Sequence, residues 1–389
     1  MQDGSASRAG AKKVPKRIRL VYDGNGGDEC MSGTMTGKWL LMAAAASMLL
    51  SACSQKADAP VETAGPPSVT ALPTASPSPA PSAAPAFTAP LTGEALQGPI
   101  DSRPYLVMIN NHAKARPQSG LGSADLLYEV LAEGEITRFL AVFQSRAFDG
   151  AIGPVRSIRP YFIDVGKSQD AILIHSGGSP DGYAMLSREK LDHMDEITNA
   201  GAYFWRDKSR KAPHNLYTSL EKLAAGAAKK KFETAQTGAV RTLPFVSDLQ
   251  QAPPGSPSSG LEVTFLLQSY KVSYRYDAES LTYKRSINGE PHVDLNDGKQ
   301  LEAANVVVLE APHRVLDDVG RREVDLDRGG RAKLFQRGQA RDIQWKRSGT
   351  DDPIRFYDSE TEAPLYPGQT HVLIVPDKPG LEQRLAVLP

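Results

Sequence analysis

The sequence predicts an α+β fold, with a layered α/β N-terminal domain at residues 91–246 and a β-rich C-terminal domain at residues 261–389. Strand-like and helix-like apolar patterns alternate in the first region, whereas the second contains strand patterns separated by turn signals. Between the two, residues 247–260 read SDLQQAPPGSPSSG, and this proline- and glycine-rich composition is typical of a linker.

Four short apolar runs predict strands in the N-terminal domain, at residues 105–109, 136–144, 171–175 and 202–205. The second run, ITRFLAVFQ, is apolar enough to be buried on both faces of a sheet.

Three helices are predicted in the same domain. The residues YFIDVGKSQ follow Pro160, and proline suits the first turn of a helix. Ser179-Pro180 predicts an N-cap and first turn for a second helix that runs through GYAMLSREKLDHM. Thr218 and Glu221 have the spacing of a capping box, which predicts a third helix that ends at about Lys230.

The C-terminal domain contains one strand pattern after another. Residues 261–291 predict several strands with turns at Asp277 and Asn288-Gly289. The later stretches NVVVLEA, AKLFQRGQARDIQWKR, IRFYD and HVLIVP continue this pattern, and no long helix is expected.

Residues 35–52 predict a lipoprotein signal peptide. Lys38 precedes an apolar run of about a dozen residues, which is too short to span a bilayer of roughly 30 Å as a helix. The run ends in LSAC, which resembles a bacterial lipobox, so Cys53 is the predicted lipidation site. The alternative for this run is an ordinary buried apolar helix.

The segments on either side of the predicted signal peptide are polar. Residues 1–34 do not suit a position in front of a signal peptide, so they are a doubtful extension, and translation is expected to start at Met35 or Met31. Residues 53–90 are rich in proline, alanine and serine and cannot bury enough apolar surface to fold. They predict an extended tether with a reach on the order of 100 Å.

The composition excludes several classes of protein. The chain has 45 basic and 45 acidic residues, so it lacks the net positive charge expected of a protein that binds nucleic acid. Its two cysteines, Cys30 and Cys53, both precede the folded region, which excludes a disulfide framework. We expect no cofactor and no metal.

Four polar segments of the N-terminal domain lie in loops or at predicted strand ends, where binding sites are usually built. They are MINNHAKARPQSGL (108–121), GPVRSIRPYF (153–162), IHSGGSP (174–180) and RKAPHN (210–215). We expect the four to meet in one cleft. The predicted ligand-binding residues are Asn111, His112, Arg116, Arg156, Arg159, His175, Ser176, Gly177, Gly178, His214 and Asn215.

The two arginines of the second segment carry this prediction. Arg156 and Arg159 stand in an otherwise apolar decamer, and the planar guanidinium group suits carboxylate and phosphate ligands. The alternative is an internal ion pair with the acidic run 125–135, which contains Asp125, Glu129, Glu133 and Glu135.

The third segment offers a second set of anion-binding groups. Gly177-Gly178 permit close approach of the backbone, and the helix that follows begins with free N–H groups that favour anions. His175 is expected to gain charge as the pH falls towards its reference pKa of about 6.5. A strand, two glycines and a helix are also a common structural turn.

Two catalytic alternatives remain open at this point. His112, His175 and His214 could form a trihistidine metal site, although no HxH or HxxxH spacing supports it. Ser176 or Ser179 could act with His214 as a hydrolase, although the sequence has no GxSxG motif.

Together these motifs resemble the YerB-like lipoproteins, whose core is a domain of unknown function. The resemblance covers roughly residues 91–389 and is carried by RPYLVMINNHAKARPQSGL, IGPVRSIRPYF, HSGGSP and APHN, followed by INGEPHVD and NVVVLE. It implies a lipobox, a tether and a layered α/β domain with a β-rich C-terminal part, but it implies no reaction.

The sequence therefore predicts a membrane-anchored, extracytoplasmic lipoprotein whose polar cleft binds an anionic ligand. The possible partners are a cell-wall glycan, a peptide or an envelope protein, besides the membrane that the lipid would enter. A scaffold that regulates a cell-wall enzyme, and an envelope hydrolase that uses His175 or His214, are the alternatives.

Overall fold

The computed structural model of the chain describes residues 86–236 and 241–389. The doubtful extension, the predicted signal peptide, Cys53 and most of the tether lie outside the described residues. The described residues all belong to one compact unit.

The N-terminal half of this unit contains nine strands and three helices in the residues described. The strands are β1 (Phe87–Thr88), β2 (Ala95–Leu96), β3 (Tyr105–Asn110), β4 (Leu126–Leu131), β5 (Thr137–Phe143), β6 (Ile172–His175), β7 (His193–Asp195), β8 (Trp205–Arg206) and β9 (Leu216–Tyr217). The helices are α1 (Pro160–Ser168), α2 (Pro180–Glu189) and α3 (Leu220–Lys230), and short 3₁₀ turns lie at Ala113–Ala115, Leu121–Ser123 and Gly201–Tyr203.

The C-terminal half is almost entirely β-structure. Its strands are β10 (Ser256–Pro257), β11 (Gly260–Thr264), β12 (Lys271–Asp277), β13 (Thr282–Ile287), β14 (Glu290–Pro291), β15 (Glu302–Ala303), β16 (Asn305–Ala311), β17 (His313–Val315), β18 (Arg322–Val324), β19 (Gly330–Gln336), β20 (Gln339–Lys346), β21 (Arg355–Asp358), β22 (Thr361–Glu362), β23 (Thr370–Pro376) and β24 (Leu385–Leu388). The helix α4 (Leu381–Arg384) is a single turn. These elements confirm the predicted α+β fold with a β-rich C-terminal part.

One large sheet crosses both halves of the chain. Its main strand order is β22-β21-β20-β19-β16-β23-β4-β5-β3-β6-β7, and β10 pairs with β20 at its side. The two halves join where β23 pairs in parallel with β4, from Thr370 opposite Leu126 to Ile374 opposite Val130. The linker predicted at 247–260 therefore connects two stretches of chain that share a sheet, and the division into two domains stays a prediction.

A second sheet packs against the C-terminal half of the first. Its strand order is β14-β13-β12-β11-β24, with β15 also paired to β13. Buried side chains from both sheets, among them Val263, Tyr274, Val306 and Leu373, form one hydrophobic cluster. Leu131 of β4 belongs to the same cluster, so the N-terminal half contributes to this core as well.

Strand β4 was not among the predicted strands, although it lies at the centre of the large sheet. Its sequence LLYEVL contains a glutamate, yet all six residues are buried. Glu129 is accommodated because Arg285 of β13 forms an ion pair with it, with 2.8 Å between the guanidinium and carboxylate groups. The partner comes from a position 156 residues away, so the local pattern contains no sign of it.

The predicted helices are present, with differences at their ends. Pro160 and Pro180 both occupy the first turn, and Ser179 caps α2 by accepting a hydrogen bond from the Gly182 amide at 3.1 Å. The cap of α3 is Ser219 rather than Thr218, because the Thr218 hydroxyl instead donates to the carbonyl of Tyr203.

Two boundaries were predicted wrongly in this region. Helix α2 ends at Glu189, where Lys190 adopts a left-handed conformation, and the following His193–Asp195 is strand β7. The run AYFW at 202–205 is mostly a 3₁₀ turn, and only Trp205 belongs to a strand, β8. The remaining predicted strands of the N-terminal half match β3, β5 and β6.

Candidate ligand-binding site

The four polar segments lie side by side in the structure. Segment 153–162 is central, because the Arg156 amide donates to the Met108 carbonyl at 2.8 Å and the Arg156 carbonyl accepts from the Ser176 amide at 3.1 Å. Segment 210–215 joins them through His214, whose Nδ1 lies 2.8 Å from the side-chain amide of Asn110.

A pair of stacked histidines forms the centre of the site. The rings of His112 and His214 have centroids 4.6 Å apart and are inclined by 20°. The Asn110 side-chain amide donates to Nδ1 of His214, and the Lys114 backbone amide donates to Nδ1 of His112 at 3.1 Å. Because each Nδ1 accepts a hydrogen bond, each neutral imidazole carries its proton on Nε2 and can donate it outwards.

Arg156 lies close to this pair and has no acidic partner. Its side chain is half-buried, and no carboxylate of the described residues lies within salt-bridge distance of its guanidinium group. Its Nε is buried without a hydrogen-bond partner. Burial lowers the pKa of Arg156 to about 10, and the charge of Arg138 adds to the effect.

The charged groups that act most strongly on the two histidines are positive. Burial lowers the pKa of His112 below its usual 6.5, and Lys114, Arg116 and Arg156 lower it further. Burial likewise lowers the pKa of His214, and so do the charges of four neighbours, in decreasing order His112, Arg156, Lys114 and Arg210. We call His112, His214, Arg156, Lys114 and Arg210 the cationic cluster.

Arg159 has a different environment from Arg156. Its guanidinium group forms an ion pair with Glu133 in the turn between β4 and β5 and also donates to the Ile158 carbonyl at 2.5 Å. Arg138 binds the same carboxylate at 3.0 Å. The internal ion pair that the acidic run offered is therefore present for Arg159 and absent for Arg156.

Asn111 and Arg116 point into the interior instead of the surface. The Asn111 amide donates to the hydroxyl of Tyr270 at 2.6 Å and to Glu129 at 3.1 Å. Arg116 donates to Oδ1 of Asn111 at 3.1 Å, and its guanidinium group lies 4.7 Å from the centre of the Tyr270 ring. These two residues connect the His112 loop to the C-terminal half.

His175 is fully buried and has partners on both ring nitrogens. Its Nδ1 lies 2.8 Å from the Gly177 carbonyl, and its Nε2 lies 3.1 Å from Nδ1 of His193. Burial lowers its pKa to about 4 in spite of the nearby Asp195. His175 therefore stays neutral near pH 6.5, and the charge expected from it at that pH is absent.

The backbone groups predicted to bind an anion after β6 are already engaged. The Gly177 amide donates to Asp195 at 2.8 Å, and the amides of Ser179 and Gly182 also have internal acceptors. Asp195 further accepts from the Tyr183 hydroxyl at 2.8 Å. An internal carboxylate thus accepts from one of the amides that a ligand anion was expected to contact. Gly177 has a φ of +74°, which favours glycine, and a Cβ on Gly178 would lie only 3.0 Å from Ile158.

Ser176 and Asn215 belong to a polar strip beside the cationic cluster. The Ser176 hydroxyl donates to Glu196 at 2.9 Å, and Arg206 contacts both Glu196 at 3.1 Å and Oδ1 of Asn215 at 3.2 Å. We call Ser176, Glu196, Arg206 and Asn215 the polar strip. It connects the segment that follows Arg156 to the segment that contains His214.

Several residues of the site were not predicted. Three of them lie within the four polar segments: Asn110, Lys114 and Arg210. Their closeness in sequence to His112 and His214 could have identified them as site residues. Asp195, Glu196 and Arg206 lie in stretches whose sequence contains no motif, and only the fold brings them to the site.

The two catalytic alternatives find no matching geometry in residues 86–236 and 241–389. The three histidines do not converge, since His175 pairs with His193, and no group of three or more His, Cys, Asp or Glu side chains is placed to hold a metal there. In the same ranges neither His175 nor His214 is hydrogen-bonded to a serine, because Ser176 binds Glu196 and Ser179 caps α2.

Comparison with known proteins confirms the resemblance inferred from the motifs. Residues 91–233 match the N-terminal domain, and residues 261–372 the C-terminal domain, of a protein family of unknown function, DUF3048. The chain is 38% identical over 293 residues to the protein named "Putative lipoprotein YerB" of Bacillus subtilis (strain 168), which covers 74% of this chain and 86% of that protein.

The same relative has a solved structure. The crystal structure of YerB protein from Bacillus subtilis superposes with a TM-score of 0.70 at 36% identity and covers 78% of this chain and 100% of that one. Within the part of the chain that the structure describes, no helix is both long and apolar enough to cross a membrane.

Proposed function

The chain belongs to the DUF3048 family, whose function is unknown. We propose that it is an extracytoplasmic lipoprotein and that its cationic cluster binds an anionic ligand of the cell envelope. The single observation that carries this proposal is that Arg156 has no acidic partner and lies close to two stacked histidines whose Nε2 nitrogens are donors.

The contrast between the arginines of one decamer supports an anionic ligand. Arg159 is neutralised by Glu133, whereas Arg156 is half-buried with no carboxylate near it in the described chain. A partly buried charge without a partner is unfavourable, and the positive charge of nearby Arg138 makes it more so. An anion bound here would remove this repulsion and accept hydrogen bonds from Arg156 and both imidazoles.

The chemistry of the donors favours phosphate or carboxylate. The guanidinium fork of Arg156 matches two oxygens of either group, and the two Nε2–H groups of His112 and His214 can reach further oxygens. Titration calorimetry of the full-length chain in detergent, with inorganic phosphate as the probe, tests this directly.

Arg156→Ala should weaken phosphate binding by at least about tenfold, since a charge-assisted hydrogen bond contributes about 1.5–3 kcal/mol. Arg188→Ala is the matched control, because Arg188 lies on α2 with a side chain that is 68% exposed and should not affect binding. Equal binding by the wild type and Arg156→Ala, or no binding by the wild type, would show that the cluster is not an anion site.

The membrane anchor is the second part of the proposal. Two observations support it: the LSAC sequence that ends at Cys53, and the similarity to a protein named as a lipoprotein. Cys53→Ala should move the protein from the membrane fraction to the soluble fraction and abolish labelling by a radioactive fatty acid. A mutant that remains in the membrane and keeps its label would refute the anchor.

The scaffold alternative stays a prediction. It requires an exposed apolar patch, and the hairpin formed by β17 and β18 has three exposed apolar residues, Val315, Leu316 and Val319, in its turn region. No feature of residues 86–236 and 241–389 identifies the surface that would cover these three side chains.

A further inference from the structure

An exposed tryptophan lies next to the cationic cluster. Trp205 forms β8 with Arg206, and β8 pairs with β9 so that Trp205 stands opposite Tyr217. The loop between these strands, residues 207–215, carries Arg210 and His214. The same hairpin therefore presents an indole ring at its base and two members of the cationic cluster in its loop.

One face of the Trp205 ring is covered and the rest meets solvent. The ring stacks on Tyr217 with centroids 6.2 Å apart and an inclination of 28°. Tyr217 is 3% exposed, whereas Trp205 is 36% exposed. The ammonium group of Lys222 lies 6.0 Å from the indole centre, at the outer limit of a cation–π contact.

Arg210 connects the aromatic pair to the cationic cluster. Burial raises the pKa of the Tyr217 hydroxyl, and the nearby Arg210 guanidinium group opposes that rise. Arg210 also acts on His214 and donates to the carbonyls of Ala115 and Pro117 at 2.7 and 2.8 Å. The Trp205–Tyr217 pair and His214 of the cationic cluster thus belong to one hairpin, and Arg210 of the same hairpin acts on both Tyr217 and His214.

The polar strip reaches the same hairpin through Arg206 and Asn215. Arg206 follows Trp205 directly and links Glu196 to Asn215, while Ser176 contacts the other oxygen of Glu196. The strip thus offers a hydroxyl, a carboxylate, an amide and a guanidinium group, that is, both donors and acceptors. A ligand that lies across it must carry several hydrogen-bonding groups at its edge.

We infer that the ligand is an anionic glycan, whose charged group binds the cationic cluster while a sugar ring packs against the exposed part of Trp205. This inference rests on the proposed function and narrows its ligand. A pyranose has an apolar C–H face, which an aromatic ring covers well, and a rim of hydroxyls, which the polar strip can bind. An inorganic anion, or an anionic peptide without rings, would leave Trp205 unused.

The test compares four probes on the full-length chain in detergent: inorganic phosphate, N-acetylglucosamine, N-acetylglucosamine 6-phosphate and adenosine 5′-monophosphate. The sugar phosphate should bind at least about tenfold more tightly than inorganic phosphate, which is the gain in affinity that stacking on an aromatic ring supplies.

The variant Trp205→Ala should remove this gain and leave the affinity for inorganic phosphate unchanged. The variant Arg156→Ala should weaken the binding of both phosphate compounds. Phe87→Ala, at another aromatic residue that is 41% exposed, is the control.

Tryptophan fluorescence gives a second readout. The chain has three tryptophans, of which Trp345 is fully buried and Trp39 lies in the predicted signal peptide. Binding of the sugar phosphate should change the emission of the wild type, and Trp205→Phe should abolish that change.

The possible failures are distinguishable. Equal affinity for inorganic phosphate and its sugar ester overturns the glycan inference alone, as does tighter binding of the nucleotide, which would point to stacking of a base. If N-acetylglucosamine binds as well as its phosphate, the anion site of the proposed function fails. If none of the probes binds, both fail.

Discussion

The two arginines of GPVRSIRPYF show how residues of one type in one segment take different roles. Arg159 precedes Pro160 and has an extended backbone, with φ −136° and ψ 158°, which directs its side chain to Glu133. Arg156, three residues earlier, reaches the histidine pair instead. Electrostatics predicts that each arginine needs a negative partner. Which one finds it within the protein depends on the position of the β4–β5 turn, which the local sequence does not contain.

The histidine pair predicts that anion binding depends on pH. The pKa values of His112 and His214 lie below 6.5 in the unliganded protein, so both rings are neutral at pH 7. Protonation costs the hydrogen bonds that Lys114 and Asn110 donate to each Nδ1, but a bound anion favours the protonated rings, so affinity should rise as the pH falls below 6.5. Sulfate is the suitable probe, because its own charge does not change between pH 7.5 and 5.

The pH dependence of binding should arise from protonation of the His112 and His214 rings. Replacement of both, as His112→Gln with His214→Gln, should leave sulfate affinity nearly constant from pH 7.5 to 5. His313→Gln is the control, since His313 lies in β17 and burial lowers its pKa to about 4, outside this range. A wild-type affinity that does not change with pH would show that the imidazoles do not contact the anion.

At the scale of the element, local rules located most of the secondary structure. Proline in the first turn and serine at the N-cap correctly placed the starts of α1 and α2, and apolar runs located β3, β5 and β6. These signals act within a few residues and depend little on the rest of the chain.

The failures have a common physical cause, which is tertiary contact. Strand β4 contains Glu129, and only the distant Arg285 makes its burial favourable. The glycine pair after β6 is predicted to bind a ligand anion, and its Gly177 amide donates to Asp195 of β7, an acceptor that the local sequence did not reveal. His193 and Met194, which precede Asp195 in β7, were predicted to belong to helix α2. Thus the four site segments could be identified from the sequence. The distant side chains that pair with their arginines and backbone amides within the protein could not.

At the scale of the whole molecule, the two halves of the chain are joined by more than residues 247–260. Strand β23 pairs with β4 over five residue pairs, and the buried Glu129–Arg285 ion pair links β4 to the second sheet. Asn111 and Arg116 extend this contact to the His112 loop through Tyr270. The conformation of the candidate site therefore depends on the C-terminal half.

This continuity predicts the outcome of cutting the chain between its halves. Residues 247–257 are mostly exposed, so a specific protease site inserted after Gln251 should be cleaved readily. The two pieces should still elute together in size-exclusion chromatography and separate only in denaturant.

The substitution Glu129→Gln should make the two pieces separate at a lower urea concentration. The loss of its carboxylate partner leaves a buried arginine unpaired, which destabilises the complex by about 3–5 kcal/mol. Glu323→Gln, whose ion pair with Arg314 is largely exposed, should have no measurable effect. If the wild-type pieces instead elute separately in native buffer, the halves are independent domains, and the shared sheet does not hold them together.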